Sequence, residues 1–265
     1  MMTIAILGAA GRMGQMLLRC SKRFPDLRVG GACEQAGHPA LGQDAGTLAG
    51  AGTLGVPLAD TWPTDAEAVI DFTFHTAVAA NLERAAARRQ AVVLGTTGLT
   101  EEEKHCVTEV AQHIPIVWAP NFSLGVNLLL DLVRRAAAVL GPAYDAEIVE
   151  MHHRLKKDAP SGTALGLAEA LAAGRGTDLK TAAVHGREGI TGERPRGEIG
   201  IHALRGGDVV GDHTVIFAAD GERIELAHKA SSREAFANGA LHAAAWLRGK
   251  PAGLYSMRDV LGLNT

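Results

Sequence analysis

The feature that most constrains the fold is a glycine-rich turn near the start of the chain, between an apolar strand and a helix. Residues 3–7 form a short apolar run, residues 8–14 read GAAGRMG, and a helical pattern follows to about residue 23. Residues 27–33 form a second apolar run that ends at Glu34. Strand, glycine turn, helix and strand in this order predict a βαβ unit, which places the two strands side by side and parallel.

This turn also predicts a dinucleotide-binding site. Glycine at a strand-to-helix turn allows the backbone to approach a pyrophosphate that lies at the helix N terminus. Glu34 follows Gly14 by 20 residues, where a carboxylate accepts hydrogen bonds from an adenosine ribose. The spacing is GxxGxxG, with Ala10 where a second glycine often stands, so the glycines alone are a weak signal. Their place between two strands and before an acid favours a cofactor site over a turn that only connects two elements.

The first half of the chain continues the alternation of strands and helices. Strands are predicted at residues 68–72, 91–94 and 114–118, and a capped helix is predicted to begin at Thr100. Each strand ends in a polar or glycine-rich turn, and in a parallel sheet such turns meet at the carboxyl edge, where ligands bind. This predicts an α/β fold with a Rossmann-type, doubly wound parallel sheet. Residues 37–61 are rich in glycine and are predicted to be an irregular surface excursion.

The second half has a pattern typical of an antiparallel or mixed sheet. Strands are predicted at residues 198–204, 209–218 and 223–230, with Asp220-Gly221 as the hairpin turn between the last two. These strands predict a separate, smaller α+β domain with a mixed sheet. Residues 186–197 are rich in arginine and glutamate and are predicted to be a mobile loop that closes over a ligand or contacts a neighbouring subunit.

Composition narrows the classes of function. The chain has 265 residues, 47% hydrophobic content, a net charge of -3 and 4% aromatic residues, which argues against nucleic acid or a membrane surface as a partner. No apolar run approaches the ~20 residues that a membrane helix requires. The three cysteines have no metal-ligand spacing, so no metal site is predicted, and their scatter suggests reduced thiols in a cytoplasmic protein.

Residues 150–163, EMHHRLKKDAPSGT, carry the candidate chemistry. They read as the end of a strand, a cationic loop and the start of a helix that Ser161 or Asp158 caps. The helix N terminus and the cations suit a small anion, and the histidines and lysines place proton donors beside it. Because successive side chains of a strand face opposite ways, His152 and His153 are not expected to point at the same spot. Each residue taken alone is more often structural; the cofactor signal elsewhere in the chain makes function the favoured interpretation.

These residues resemble the 4-hydroxy-tetrahydrodipicolinate reductase (dihydrodipicolinate reductase) family over nearly the whole chain. The resemblance rests on GAAGRMG at 8–14, DFT at 71–73, GTTG at 95–98, APNFS at 119–123, EMHHRLKKDAPSGTA at 150–164, REGITGERPRGEIG at 187–200, HKASSR at 228–233 and MRDVL at 257–261. It implies reduction of 4-hydroxy-tetrahydrodipicolinate, a small dicarboxylate, by NADH or NADPH with loss of water. It also implies a homotetramer assembled through the second sheet, a dinucleotide-binding domain of residues 1–123 completed by 234–265, and a substrate-binding and oligomerisation domain of residues 124–233.

The resemblance assigns roles residue by residue. His152 is similar to the family's proton donor or acceptor, and Lys156 to its proton donor. His153, Gly162 and Thr163 correspond to residues that hold substrate carboxylates. The cofactor residues implied are Gly8, Ala9, Ala10, Gly11, Arg12 and Met13 at the pyrophosphate, Glu34 at the ribose, and Gly95, Thr96, Thr97, Ala119, Pro120, Asn121 and Phe122 at the nicotinamide end.

One departure bears on cofactor choice. The family often has an arginine directly after the ribose-binding acid, where it meets a 2′-phosphate, and this chain has Gln35. With Arg12 as a partial substitute, NADH is expected to be favoured, or both cofactors accepted. Two other functions are possible. A semialdehyde or homoserine dehydrogenase is one, but the former needs a nucleophilic cysteine in its substrate loop, and none lies there. A redox-sensing NAD-binding regulator is the other, but it needs a DNA- or partner-binding module that the sequence does not show.

Overall fold

The computed structural model describes residues 1–264, which form two compact units. Unit 1 is Met1–Leu124 together with the segment from Arg233 onward, and unit 2 is Gly125–Ser232. Thr265, the last residue of the predicted C-terminal segment, lies outside the described residues.

The described residues form twelve strands and nine α-helices. The strands are β1 (Met2–Leu7), β2 (Leu27–Cys33), β3 (Leu58–Ala59), β4 (Ala68–Asp71), β5 (Ala91–Leu94), β6 (Pro115–Trp118), β7 (Asp145–His152), β8 (Ala183–His185), β9 (Ile199–Arg205), β10 (Gly211–Ala219), β11 (Glu222–Ala230) and β12 (Gly253–Tyr255). The helices are α1 (Arg12–Cys20), α2 (Ala45–Leu48), α3 (Val78–Ala87), α4 (Glu101–Val110), α5 (Leu124–Leu140), α6 (Gly162–Arg175), α7 (Leu179–Ala182), α8 (Glu234–Trp246) and α9 (Met257–Val260).

Unit 1 contains a parallel sheet in the order β12-β6-β5-β4-β1-β2-β3. Alternate residues of β1 face opposite layers: Ile4 and Ile6 pack in a core with α1 and α8, whereas Ala5 and Leu7 pack in a second core with α3 and α4. Burial on both faces explains why its central strands are almost wholly apolar. The predicted doubly wound parallel sheet is confirmed, and β12 and α8 show that the end of the chain belongs to this unit.

Unit 2 contains a mixed sheet in the order β11-β10-β7-β9-β8, as predicted. β10 pairs antiparallel with both β7 and β11, whereas β9 is parallel to β7 and β8. Ala219 and Glu222 are partners, so Asp220-Gly221 forms the predicted two-residue hairpin loop. Helices α5 and α6 pack on one face of this sheet, against Ile148, Ile201 and Phe217 among others.

The structure adds detail to two loops, and one of them differs from its prediction. Residues 37–61 are not wholly irregular: they contain α2 and β3, because the Asp44 carboxylate accepts hydrogen bonds from the backbone N–H groups of Thr47 and Gly55 at 2.8 and 2.7 Å. In the loop of residues 186–197, Arg187 and Arg194 are bound to the carboxylate of Glu147 on β7. These two arginines are therefore held by unit 2 itself.

Two helix starts follow their sequence signals. Thr100 and Glu103 make a reciprocal capping box at the start of α4. Ser161, and not Asp158, is the N-cap of α6, with its Oγ accepting from the N–H of Ala164 at 3.2 Å. Among the described residues, no helix is long and apolar enough to cross a bilayer.

Candidate active site

The glycine turn between β1 and α1 has the geometry of a phosphate-binding turn. Gly8 has a φ of +68°, which is unfavourable for residues with a side chain. A Cβ on Gly14 would lie 2.3 Å from the carbonyl oxygen of Gly8, so only glycine lets α1 approach the turn this closely. Gly11 precedes α1 and offers no side-chain cap, and the first N–H groups of the helix, from Arg12 and Met13, have no acceptor one turn earlier. The turn therefore presents donors and the positive end of a helix dipole to an anion.

Glu34 lies directly beside this turn. Its carboxylate accepts hydrogen bonds from the N–H groups of Ala10 at 3.2 Å and Gln35 at 3.0 Å. Gly8, Gly11 and Glu34 all line one cavity of about 760 Å³, called here the dinucleotide cavity. A cavity of this size, with a glycine turn and an adjacent acid in its lining, fits the adenosine and pyrophosphate part of a dinucleotide.

The outer wall of the dinucleotide cavity was not predicted. The Trp62 indole lines it, fixed by a hydrogen bond from Nε1 to the side chain of Gln90 at 2.7 Å, and the Arg84 guanidinium carbon lies 5.9 Å from the centre of the Trp62 ring. Arg84 is the only lysine or arginine among the described residues that line the cavity, whereas Glu34 and Asp60 are acids in the same lining. Trp62 and Arg84 come from separate stretches of the chain, and no sequence signal connects them.

The turns after β4, β5 and β6 meet at one edge of the sheet, as predicted. The Phe72 ring contacts the Phe122 ring, with centres 5.7 Å apart, and also fills the space where a Cβ on Gly95 would lie. The Thr96 hydroxyl donates to the carbonyl of Thr73 at 3.0 Å, and Asn121 accepts from the N–H of Ser123 at 2.8 Å.

The predicted nicotinamide residues are therefore brought together but are not among the residues lining the dinucleotide cavity. Phe122 and Ala119 are buried, Thr96 is buried with its hydroxyl occupied, and Thr97 and Pro120 are exposed. At the buried positions only the backbone is available to a ligand.

In unit 2, polar residues lie in a row across four strands, on the face that α5 and α6 cover. Glu150 and His152 of β7 are two residues apart and share this face. The register pairs His152 with Arg205 of β9, Glu150 with His213 of β10, and His213 with His228 of β11. This polar row is Glu150, His152, Arg205, His213 and His228; the first two and His213 are buried, and Arg205 and His228 are partly buried.

Glu150 is the centre of the polar row. Its side chain is 0% exposed, and its carboxylate accepts from His152 Nδ1 at 2.6 Å, from two nitrogens of Arg205 at 2.8 and 2.9 Å, and from the N–H of Ser161 at 3.0 Å. Burial by itself raises the pKa of Glu150, but the hydrogen bonds from Arg205, His152 and Ser161 more than offset it and hold the pKa below its ordinary value. The group is thus a carboxylate at neutral pH.

His152 and His213 lie with their ring centres 5.1 Å apart and nearly perpendicular. His213 is 4% exposed, and its Nε2 shares a hydrogen bond of 3.1 Å with the Ser161 hydroxyl. Burial first, and then the neighbouring His152, lower the pKa of His213 to about 4, so His213 is neutral at neutral pH. His152, with a side chain 10% exposed, makes its one described hydrogen bond through Nδ1. Its Nε2 makes no hydrogen bond with a described residue, so the proton exchange predicted for His152 would use Nε2.

The remaining predicted residues of unit 2 surround the end of β7 and the start of α6. His153 directly follows β7, and its backbone N–H donates to the carbonyl of Val209 at 2.7 Å. Lys156 Nζ lies 2.9 Å from an Asp158 oxygen, and this hydrogen bond lowers the pKa of Asp158. Gly162 and Thr163 are the first two residues of α6, where helix N–H groups favour an anion.

Sequence reasoning singled out His152 but missed the carboxylate that holds it. Arg205 and His213 were also missed, since they lie 55 and 63 residues after Glu150 in sequence and meet it only through strand pairing. The available signal was the alternation along β7, which puts Glu150 on the same face as His152.

Comparison with known proteins covers both units. A family model described as "Dihydrodipicolinate reductase, N-terminus" matches residues 2–122, and one described as "Dihydrodipicolinate reductase, C-terminus" matches residues 125–261. The chain is 52% identical over 266 residues to a 4-hydroxy-tetrahydrodipicolinate reductase of Anaeromyxobacter dehalogenans (strain 2CP-1 / ATCC BAA-258), covering 99% of this chain and 98% of that one. It is 51% identical over 263 residues to the protein of that name from Pseudoalteromonas atlantica (strain T6c / ATCC BAA-1087), covering 98% of each.

A solved structure shares the fold. The dipicolinate-bound dihydrodipicolinate reductase from Paenisporosarcina sp. TG-14 has a TM-score of 0.77 and 24% sequence identity, covering 97% of each chain.

Proposed function

The chain belongs to the dihydrodipicolinate reductase family, and on that premise we propose that unit 1 holds a reduced pyridine nucleotide and unit 2 holds the substrate. The protein is an NAD(P)H-dependent reductase that converts 4-hydroxy-tetrahydrodipicolinate to tetrahydrodipicolinate in lysine and diaminopimelate biosynthesis. The structural observation that carries the substrate assignment is the buried pair of Glu150 and His152 beside the N terminus of α6. This arrangement places a group that can exchange protons beside a helix terminus that can bind an anion. Reduction of a dicarboxylate substrate requires both.

The cofactor is assigned to unit 1. When bound, the reduced nicotinamide supplies a hydride to the substrate. Residues 8–13 cradle the pyrophosphate. The N–H groups of Arg12 and Met13 at the α1 N terminus are the donors, because those of Ala9, Ala10 and Gly11 are already bonded to Cys33, Glu34 and Gly8. Glu34 accepts hydrogen bonds from the adenosine ribose. Residues 95–97 and 119–122 hold the nicotinamide end, mainly through the backbone.

The substrate is assigned to the start of α6. Its carboxylates bind the helix N terminus through Gly162 and Thr163, where the dipole and N–H groups favour negative charge. His153 holds a carboxylate from the opposite side of the chain. These contacts orient the ring before reduction and contribute to KM.

The reaction adds a hydride and a proton to the substrate and releases water. Negative charge builds on the nitrogen side of the ring as the hydride arrives, and Lys156 donates the proton that neutralises it. Asp158 keeps the ammonium group of Lys156 in place before the substrate enters. His152 exchanges protons through Nε2 and stabilises charge during the loss of water. General acid catalysis of this type contributes about 10²–10⁴-fold to the rate.

The assay for this function mixes the protein with NADH or NADPH and the condensation product of pyruvate and aspartate semialdehyde. We expect the absorbance of the reduced cofactor to fall only when protein and condensation product are both present. The matched control is the variant Lys157→Ala, whose exposed side chain has no assigned role and which is expected to retain activity. If the cofactor is not oxidised, the reductase function is wrong.

We also propose that the protein is a homotetramer. The face of the unit 2 sheet opposite α5 and α6 carries Val149, Met151, Leu204 and Ile216, none of which is fully buried, and Leu204 is 48% exposed. Symmetric self-association is the usual way to cover such a face. A cytoplasmic location also remains a proposal; the thiols of Cys20, Cys33 and Cys106 are free, which is compatible with a reducing compartment.

A further inference from the structure

The carboxylate of Glu150 has a position that a purely structural ion pair would not need. It is on β7 two residues before His152, on the same face, and its shortest hydrogen bond, 2.6 Å, is to His152 Nδ1. Because the carboxylate accepts, Nδ1 must be the donor. A neutral His152 therefore carries its proton on Nδ1 and leaves the Nε2 lone pair for exchange.

The surroundings leave Nε2 accessible. Gly211, at the start of β10, lies against the His152 ring, and a Cβ added there would be 3.0 Å from Nε2. Nε2 makes no hydrogen bond with any residue that the structure describes. One nitrogen is thus fixed by a buried acid, and the other is kept clear by a glycine.

The same carboxylate is bound to the start of α6. Its other oxygen accepts from the N–H of Ser161, the N-cap residue, while Arg205 bridges both oxygens. A displacement of Glu150 would therefore move the histidine and the helix N terminus together. The charged and titratable groups around His152, taken from every element that packs against it, are Glu150, Lys156, Asp158, Arg205, His213 and His228.

We infer that Glu150 is the positioning residue of the active site: it sets the Nδ1–H tautomer of His152, stabilises the imidazolium when His152 takes a proton, and fixes His152 relative to the N terminus of α6. Arg205 neutralises the carboxylate in the resting state and orients it through two parallel hydrogen bonds. This inference rests on the proposed role of His152 in proton exchange. Glu150 does not touch the substrate and acts through His152 and Ser161.

A measurement on the unmodified protein tests the tautomer. ¹⁵N chemical shifts of histidine side chains distinguish Nδ1–H from Nε2–H, and the His152→Gln variant identifies which signals belong to His152. We expect the Nδ1–H form at a pH where the ring is neutral. A neutral Nε2–H form would overturn the inference, and this result depends neither on activity nor on the folding of a Glu150 variant.

The variant Glu150→Gln tests the consequence for catalysis. The amide keeps only one accepting oxygen, so its NH₂ group faces a donor, either Nδ1–H of His152 or the N–H of Ser161, and the negative charge beside the imidazolium is lost. We expect kcat to fall about tenfold to a hundredfold with KM changed less than threefold, and the acidic limb of the kcat profile to move to lower pH by about one unit. Glu150→Asp, which keeps the charge but shortens the side chain, is expected to restore the position of the limb while recovering only part of kcat.

The matched control is Glu147→Gln. Glu147 lies on the opposite face of β7 and also pairs with arginines and a histidine, accepting from His202 at 2.6 Å. If Glu150 were only structural, both glutamine variants would lower Tm with no change in pH profile, and the inference would be overturned. If instead His152→Gln retains full kcat while the wild type oxidises the cofactor, the proposed role of His152 fails, whatever the tautomer spectrum shows.

Discussion

The choice between NADH and NADPH is decided on the wall of the dinucleotide cavity, and Gln35→Arg is the change that tests it. Gln35 follows Glu34, the acid proposed to bind the ribose, is exposed, and lines the cavity together with Glu34 and Asp60. A 2′-phosphate placed there meets two carboxylates and a neutral amide. The only described cation on the lining is Arg84, at the Trp62 wall, and Arg12 is not part of the lining. We therefore expect the wild type to favour NADH or to accept both cofactors.

The magnitude follows from competing interactions. A hydrogen bond between a guanidinium and a phosphate is worth about 1.5–3 kcal/mol, and every ~1.4 kcal/mol changes an affinity ratio tenfold. Glu34 also competes for the new arginine, and an exposed ion pair of this kind is worth about 0.2–1 kcal/mol. The difference predicts that Gln35→Arg raises the ratio of kcat/KM for NADPH over NADH by about tenfold.

The assay compares kcat/KM for the two cofactors at equal ionic strength, because surface charge effects weaken with salt. Titration of the protein with each cofactor, followed by the quenching of tryptophan fluorescence, measures the same preference as a ratio of two Kd values. Gln35→Met has a similar length without charge and is expected to leave the ratio within twofold. Arg84→Gln is expected to lower the ratio of kcat/KM for NADPH over NADH, because it removes the one described cation from the cavity lining. A wild-type enzyme with a large preference for NADPH, or a Gln35→Arg ratio equal to that of Gln35→Met, would refute the reasoning.

The other predictions concern unit 2. Lys156→Ala should lower kcat by at least about a hundredfold with cofactor binding intact; a near-normal kcat with a raised KM would make Lys156 a carboxylate clamp and leave proton donation to His152. His153→Asn should raise KM more than it lowers kcat, and the opposite pattern in steady-state kinetics would contradict its carboxylate role. His213 has an ordinary pKa of 6.5 and a folded pKa of about 4, so the unfolded chain takes up this proton first as the pH falls. The stability that a neutral, buried His213 provides above about pH 6.5 should be lost between pH 6.5 and 4. The Tm of His213→Asn should therefore fall less steeply with pH across this window than the Tm of the wild type. Equal slopes of Tm against pH would show that another group causes the loss. Light scattering at micromolar concentration should give the mass of a tetramer, and a monomer mass would rule out the proposed assembly.

Much of the fold could be predicted because its signals are local. The glycine turn, the apolar strands on either side of it and the following acid lie within 33 residues, from Met2 to Glu34, and each acts through its own backbone geometry. The hairpin at Asp220-Gly221 and the capping box of Thr100 are likewise set by neighbours in sequence. The short elements α2 and β3 escaped prediction, since Asp44 organises them through hydrogen bonds to residues as far as 12 positions away.

The candidate site divides in the same way. His152, Lys156 and the start of α6 could be named from one stretch of 14 residues, because strand, loop and helix follow one another there. The surroundings of these residues could not be predicted from the sequence. Arg205 reaches Glu150 only because β9 pairs with β7 in a particular register, and His213 reaches the same point through β10. Burial of a carboxylate is a property of the packed sheet and its helices, and it cannot be predicted from the residue type. The sequence by itself determined which groups can exchange a proton or hold an anion; the tertiary structure decided which nitrogen of His152 is held and which is free, because hydrogen bonds from distant strands converge on one buried acid.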